Sequence, residues 1–278
     1  AESYARAQEA GETLGRDDWR RQNVDRFIER MYREVKAAKP HVKVGISPFG
    51  IWRPGHPASV TGFDQYAEIY ADARKWQVEG WLDYMAPQLY WSIGKRGQSF
   101  PDLLEWWGEQ NAAGRHLWPG LFDSRVLSEI GTYEPREILD QVALVHADEE
   151  ATGTIHFSMK ALMEEHSDLG DRLASGPWAR PALVPASPWL DPTPPRAPAL
   201  GLRQSGETKW LLLTPPGEPV RSWVVREKRG EEWTLHVLPG WRLTHALRAD
   251  ERGRMPEMVS VSAVDRAGNE GEVATVAP

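Results

Sequence analysis

The 278-residue sequence contains no cysteine, which excludes disulfides and cysteine-ligated zinc or iron–sulfur centres in any compartment. No apolar run approaches the roughly 18 residues that would cross a bilayer, so no transmembrane segment is expected. The opening AESYARAQEAGETLGRDD is too polar for a secretory signal, and a start at Ala1 rather than Met suggests a processed, truncated or cloned segment. Positive charge is not in excess either. The net charge of −7 lacks the basic footprint that binding a phosphate backbone requires, so nucleic acid is not an expected partner. His41, His56, His146 and His166 show no metal-ligand spacing and read as solvent-facing, so no metal site and no cofactor are expected.

What the sequence has in quantity is tryptophan, 14 residues against 6 phenylalanines. An indole offers a flat apolar face to sugar C–H groups and an N–H to a hydroxyl, so this bias leans towards carbohydrate; packing in cores and hairpins is the other use.

Along the chain, Val24, Phe27, Ile28, Met31, Tyr32 and Val35 recur at helical spacing and Pro40 ends the run. HVKVGISPFGIW follows as a strand broken by Pro48 and Gly50. The alternation then repeats. Tyr66, Ile69, Tyr70 and Ala73 fit one helix face, and DYMAPQLYW reads as a buried strand. Ser99 with Pro101 starts a helix carrying Leu103, Leu104 and Trp107, which Gly114 closes. HLWPGLFDS is a third strand, Pro135 opens a helix, GTIHFSM is a fourth strand, and a helix from about Leu162 to Leu173 completes the series. Strands separated by helices at this spacing predict a parallel sheet of βαβ units. A full (β/α)8 TIM barrel needs eight strands, so these four units amount to a partial barrel, here assigned to residues 1–176. A four-stranded open sheet is the alternative, and it would expose a strand edge.

Eight prolines between Gly176 and Pro198 mark a linker over 177–198. Beyond it the period changes to two: KWLLLT, RSWVVREK, EWTLHVL, WRLTHAL and MVSVSAVD predict short strands. About seven strands fit a fibronectin type III- or immunoglobulin-like β-sandwich over 199–278. The fold class is therefore α/β plus all-β.

Active sites of (β/α) barrels lie at the C-terminal strand ends. Those ends offer Phe49, Trp52 and Arg53, then Gln88, Tyr90 and Trp91, then Trp118 and Asp123, then His156. Glycoside hydrolysis generally uses two carboxylates, and only Asp123 qualifies; Asp83 lies at the start of its strand, and Asp64, Glu68 and Asp72 fall on a predicted helix. Asp123 also suits a turn in FDSR, and Trp52 and Trp91 also suit rim packing. Gln88 in an apolar strand needs a partner, either a substrate hydroxyl or neighbouring backbone.

The segments WRRQNVDRFIERMYREVKAAKPHVKVGISPFGIWRP and YADARKWQVEGWLDYMAPQLYW resemble the glycosyl hydrolase-like 10 family of bacterial cell-envelope proteins, over roughly residues 18–195. The resemblance implies a barrel that hydrolyses glycosidic bonds, with peptidoglycan glycan as the first candidate substrate and a cell-envelope or secreted location. It also implies that Ser47 to Arg53, Gln88 to Trp91 and Asp123 line the cleft. The family's D-D-Y-F motif, expected at the end of the fourth barrel strand before the W-R-R helix, is absent. The expectation is that the N-terminal half of the barrel is missing and that the remainder self-associates or relies on that half. A non-catalytic carbohydrate-binding or wall-attachment protein is the alternative, and a degenerate gene product a third.

Overall fold

The computed structural model describes residues 2–127, 131–163 and 167–278; His166 lies outside them. Two compact units divide the chain, Ala1–Pro177 and Trp178–Pro278.

The first unit opens with α1 (Glu2–Glu9), a polar helix that the sequence patterning did not single out, and α2 (Arg16–Ala38), the helix expected from the apolar spacing before Pro40. Then come β1 (Gly45–Ile46), α3 (Gln65–Glu68), α4 (Ala73–Val78), β2 (Tyr84–Met85) and α5 (Phe100–Glu109). The unit continues with β3 (His116–Leu117), β4 (Gly120–Leu121), α6 (Pro135–Ala147), β5 (Ile155–His156), α7 (Met159–Met163) and α8 (Leu169–Ser175). The strands are parallel and ordered as in the chain, β1–β2–β3 and β4–β5, with β3 and β4 separated only by Trp118 and Pro119. Single bridges carry the pairing further, Phe49 to Gln88 and Gln88 to Gly120.

The regular strands are short for a chemical reason. Pro48, Pro87 and Pro119 occupy equivalent positions in three strands and supply no amide hydrogen, which interrupts each ladder. Their carbonyls still accept from the next strand, from the amides of Gln88 (3.1 Å), Gly120 (2.8 Å) and Ile155 (3.0 Å).

Helix starts follow local chemistry. The Ser99 side chain accepts from the Asp102 amide with Pro101 in the first turn, and Pro135 begins α6. The single helix expected over Tyr66–Ala73 is instead two short ones. Tyr70 adopts a left-handed φ of 59°, and Asp64 and Asp72 cap the amide ends of α3 and α4. α7 and α8 stand where one helix was expected, with residues 164–166 between them outside the described set.

One face of the sheet packs under the helices. Met85, Leu89, Leu117 and Leu121 join Ile28, Trp76, Leu103, Trp107, Ile138 and Val142 in a single core. Trp107 is fully buried and donates from Nε1 to the Gly50 carbonyl at 2.8 Å, tying α5 to the loop after β1. A fully buried aromatic of this kind contributes about 3–5 kcal/mol.

The second unit holds β6 (Ala199–Ser205), β7 (Thr208–Thr214), β8 (Ser222–Arg229), β9 (Glu232–Pro239), β10 (Thr244–Leu247), β11 (Met258–Val264) and β12 (Ala274–Val276). They form two antiparallel sheets, β10–β7–β6 and β12–β11–β8–β9, across a shared core of Leu211, Trp223, Val225, Leu247, Val259 and Val261, which is a sandwich-like arrangement. The Pro-rich stretch contains no helix or strand. Part of it is hydrogen-bonded to the β-rich unit, Ser187 to Ala267 and Asn269 to Asp191.

Candidate functional site

Residues paired across a sheet project to the same face, and successive residues of a strand alternate. Met85 pairs with Leu117 and Leu121 with His156, so these face the helices. Gly45, Tyr84 and His116 share the opposite, open face, as do Phe49, Gln88, Gly120 and Ile155. By alternation Tyr90, Trp118, Phe122 and Phe157 belong to the open face as well.

Aromatic rings concentrate there. At the C-terminal strand ends, Tyr90 lies 4.9 Å from Phe122 and 5.7 Å from Phe157, centroid to centroid. Phe49 meets Phe63 at 5.0 Å and Trp91 at 5.8 Å, both edge-on. Phe49 is 37% and Phe157 49% exposed, so this end of the face meets solvent. Lower down, Trp118 stacks between Tyr84 (4.5 Å) and His116 (5.0 Å) and donates to Thr152 at 2.9 Å.

Glycines make room for these rings. A Cβ at Gly45 would overlap the Tyr84 ring, one at Gly120 would press on Tyr90 at 3.2 Å, and one at Gly153 on Trp118 at 3.2 Å. Gly50 lets the backbone of the neighbouring strand come close, because a side chain there would run into the Gln88 carbonyl. The loops that carry the upper rings are fixed by buried amides. Gln65 donates to the carbonyls of Phe49 (2.9 Å) and Ile51 (2.8 Å), and Gln141 donates to that of Trp91 (3.1 Å). Beside Trp91 lies a cleft of about 780 Å³ lined by Lys95, Gln98, Arg125, Tyr133, Glu134 and Glu137.

The expected site residues therefore sort into three groups. Phe49, Gln88, Tyr90 and Trp118 are on the open face with Trp91 at its rim. Gln88 donates to the carbonyl of Ser47 (3.2 Å) and to its hydroxyl (3.4 Å), so a neighbouring strand already partners it. Trp52 and Arg53 lie elsewhere. The Trp52 indole stacks on Trp106 at 5.7 Å and donates to Asp72 at 3.0 Å, while Arg53 pairs with Asp64 at 3.5 Å over the Tyr66 ring. These contacts make them packing and loop-bracing residues.

Asp123 and His156 form a pair of their own. Asp123 is wholly buried at the start of a short 3-10 turn (Asp123–Val126), and its Oδ2 lies 2.7 Å from His156 Nδ1. His156 Nε2 meets the Thr154 hydroxyl at 2.9 Å. The Asp123 Oδ1 has no hydrogen-bond partner among the described residues. Burial and the neighbouring Asp123 charge both push the Tyr90 hydroxyl's pKa up. In this conformation the one strand-end carboxylate does not reach solvent.

Asp83, set aside in the sequence as lying at the wrong end, is buried there. It accepts from the Val44 amide at 2.7 Å and pairs with Lys36 and Tyr32. His41, His56 and His146 are exposed, as expected. Among the described residues, no three histidine or carboxylate donors converge at the strand ends. Phe122, Phe157 and Phe63 did not enter the list of expected site residues; the first two were marked by their alternation with Leu121 and His156.

Comparisons with known proteins bear on the first unit. Residues 2–132 match the model of the family described as glycosyl hydrolase-like 10. The chain is 39% identical over 192 residues to the glycosyl hydrolase YngK of Bacillus subtilis (strain 168), covering 66% of this chain and 38% of that protein. It is 34% identical over 160 residues to the glycosyl hydrolase DigH of Escherichia coli (strain K12), covering 53% of this chain and 36% of that protein. The chain thus spans little more than a third of the length of these curated relatives. A solved structure, the spore cortex lytic enzyme SleM of Clostridium perfringens, overlaps 64% of this chain and 73% of its own at 13% identity, but its TM-score of 0.25 carries no argument. Over residues 2–132, the chain is similar to the glycosyl hydrolase-like 10 family.

Proposed function

We propose that the open face of the parallel sheet is a glycan-binding surface of a glycoside hydrolase-like protein, with peptidoglycan glycan as its substrate class. One observation carries this reading: rings of Phe49, Tyr90, Trp91, Phe122 and Phe157 gather at the C-terminal strand ends and are partly exposed, where flat faces can meet sugar C–H groups. The sequential order of the four parallel strands, with helices on one side, supports assigning them to an arc of a (β/α) barrel whose lumen is this face. The β-rich unit is assigned to the fibronectin type III-like class on its three- and four-stranded sheets. A cell-envelope or secreted location follows from the substrate class.

Hydrolysis needs two carboxylates flanking the bond. Asp123 enters the reading through His156, which it orients, while its buried second oxygen has no partner among the described residues. The further carboxylate is assigned to barrel elements outside these four units, as the greater length of the relatives allows. The burial of Asp123 favours binding without cleavage by this chain itself.

The test is co-sedimentation of the purified chain with insoluble peptidoglycan, together with an assay for newly released reducing ends. Retention is expected without release. The double substitution Tyr90→Ala and Phe157→Ala is expected to weaken retention roughly tenfold, or about 1.4 kcal/mol. Equal retention of the variant would remove the open face from the binding surface. Sugar release that persists in Asp123→Asn would overturn the assignment of Asp123.

A further inference from the structure

Three side chains that the sequence spaces at equal intervals, Glu227, His236 and His245, converge in the second unit. Glu227 lies on β8, and the antiparallel register sets it opposite Thr234, with His236 two residues further along β9. His245 comes from β10, a strand of the other sheet. The carboxylate Oε1 lies 2.7 Å from His245 Nε2 and 3.8 Å from His236 Nε2, and the two imidazole rings are 4.8 Å apart.

We propose that Glu227, His236 and His245 bind a divalent transition-metal ion of the zinc class. Ligand atoms held at about 2.0–2.1 Å around a tetrahedral ion lie about 3.3 Å from one another, a value that the two observed separations bracket. Two imidazole nitrogens with one carboxylate oxygen suit zinc, and fit poorly the oxygen-only preference of magnesium and calcium. The second carboxylate oxygen is held by Arg229 Nη2 at 2.5 Å, and that guanidinium is itself fixed by the carbonyls of Arg254 (3.1 Å) and Arg248 (2.8 Å). This outer contact turns Oε1 towards the imidazoles, the role that supporting partners play around metal ligands. Its positive charge lowers the affinity, so binding in the micromolar range is expected rather than a tight structural site. A cavity of about 440 Å³, also lined by Leu238, Arg242 and Asp250, opens onto the three side chains and leaves a fourth position to water. The inference is independent of the glycan reading, since it concerns the other unit alone.

The full chain, stripped with chelator and dialysed, would be titrated with Zn²⁺ by calorimetry and with Co²⁺ by visible absorption. One ion per chain is expected, with the thermal transition raised by several degrees in excess Zn²⁺. His236 has 35% of its side chain exposed, so His236→Ala should fold, as checked by circular dichroism, and should lose at least roughly tenfold in affinity. His245→Ala and Glu227→Gln should do the same where they fold. Absence of binding by the unsubstituted chain, or binding that His236→Ala leaves unchanged, would overturn the proposal and make the three side chains an ion-paired brace between the sheets.

Discussion

The two faces of the parallel sheet use the same residue type to opposite ends. Under the helices, Trp107 is enclosed and its N–H is bound to Gly50, and nearby Trp52 lies flat on Trp106 with its N–H on Asp72. On the open face, Phe49 and Phe157 keep more than a third of their surface in water, and Trp91 stands edge-on to Phe49. An aromatic side chain at a strand end is therefore not a binding residue by type. What decides is whether its faces and its polar edge are already occupied.

The contrast can be broken first where it is largest. Trp107→Ala should cost about 3–5 kcal/mol in denaturant unfolding, by loss of transfer energy and creation of a cavity. A cost below about 1 kcal/mol would mean that the helix-side face does not carry the stability assigned to it.

The next effect lies at the buried base of the open face. Burial above all, and the nearby Lys43 charge, hold the His116 pKa down to about 4, with Asp83 opposing. Unfolded, the imidazole titrates near its ordinary value of about 6.5. Between those values the unfolded chain binds a proton that the folded chain does not, so stability falls as the pH is lowered from about 6.5 to about 4. The loss should reach about 3 kcal/mol and then level off. Urea midpoints across that range should show the slope, and His116→Phe should flatten it. An unchanged slope in the variant would assign the pH dependence to other groups.

The smallest effect sharpens the sorting of the tryptophans. Trp52→Phe keeps a stacked ring but deletes the N–H bond to Asp72, and should cost about 1 kcal/mol while leaving glycan retention untouched. A selective loss of retention would return Trp52 to the binding surface.

Much of this was legible in the sequence. The apolar spacing before Pro40, the Ser99–Pro101 start and Pro135 each acted through local chemistry, and the period-two runs became β7 to β11. Tyr70 was less readable, because a left-handed φ at a non-glycine residue leaves no mark in a hydrophobic pattern. The division of the strand-end residues between faces was present in the alternation of Gln88 and Tyr90 with Leu89, yet treating strand ends as wholes hid it. The grouping of Glu227, His236 and His245 was not readable, since it depends on how two sheets face each other.

The glycines beneath the rings have a consequence for variation. Because Tyr84, Tyr90 and Trp118 are inlaid over Gly45, Gly120 and Gly153, the relief of the open face is set as much by the residues without side chains as by those with large ones. Alanine at Gly45 would lift the neighbouring ring out of its bed and turn a smooth floor into a stepped one. Among relatives, such a ring and its glycine would be expected to change together, so that the contour of the floor is inherited as pairs.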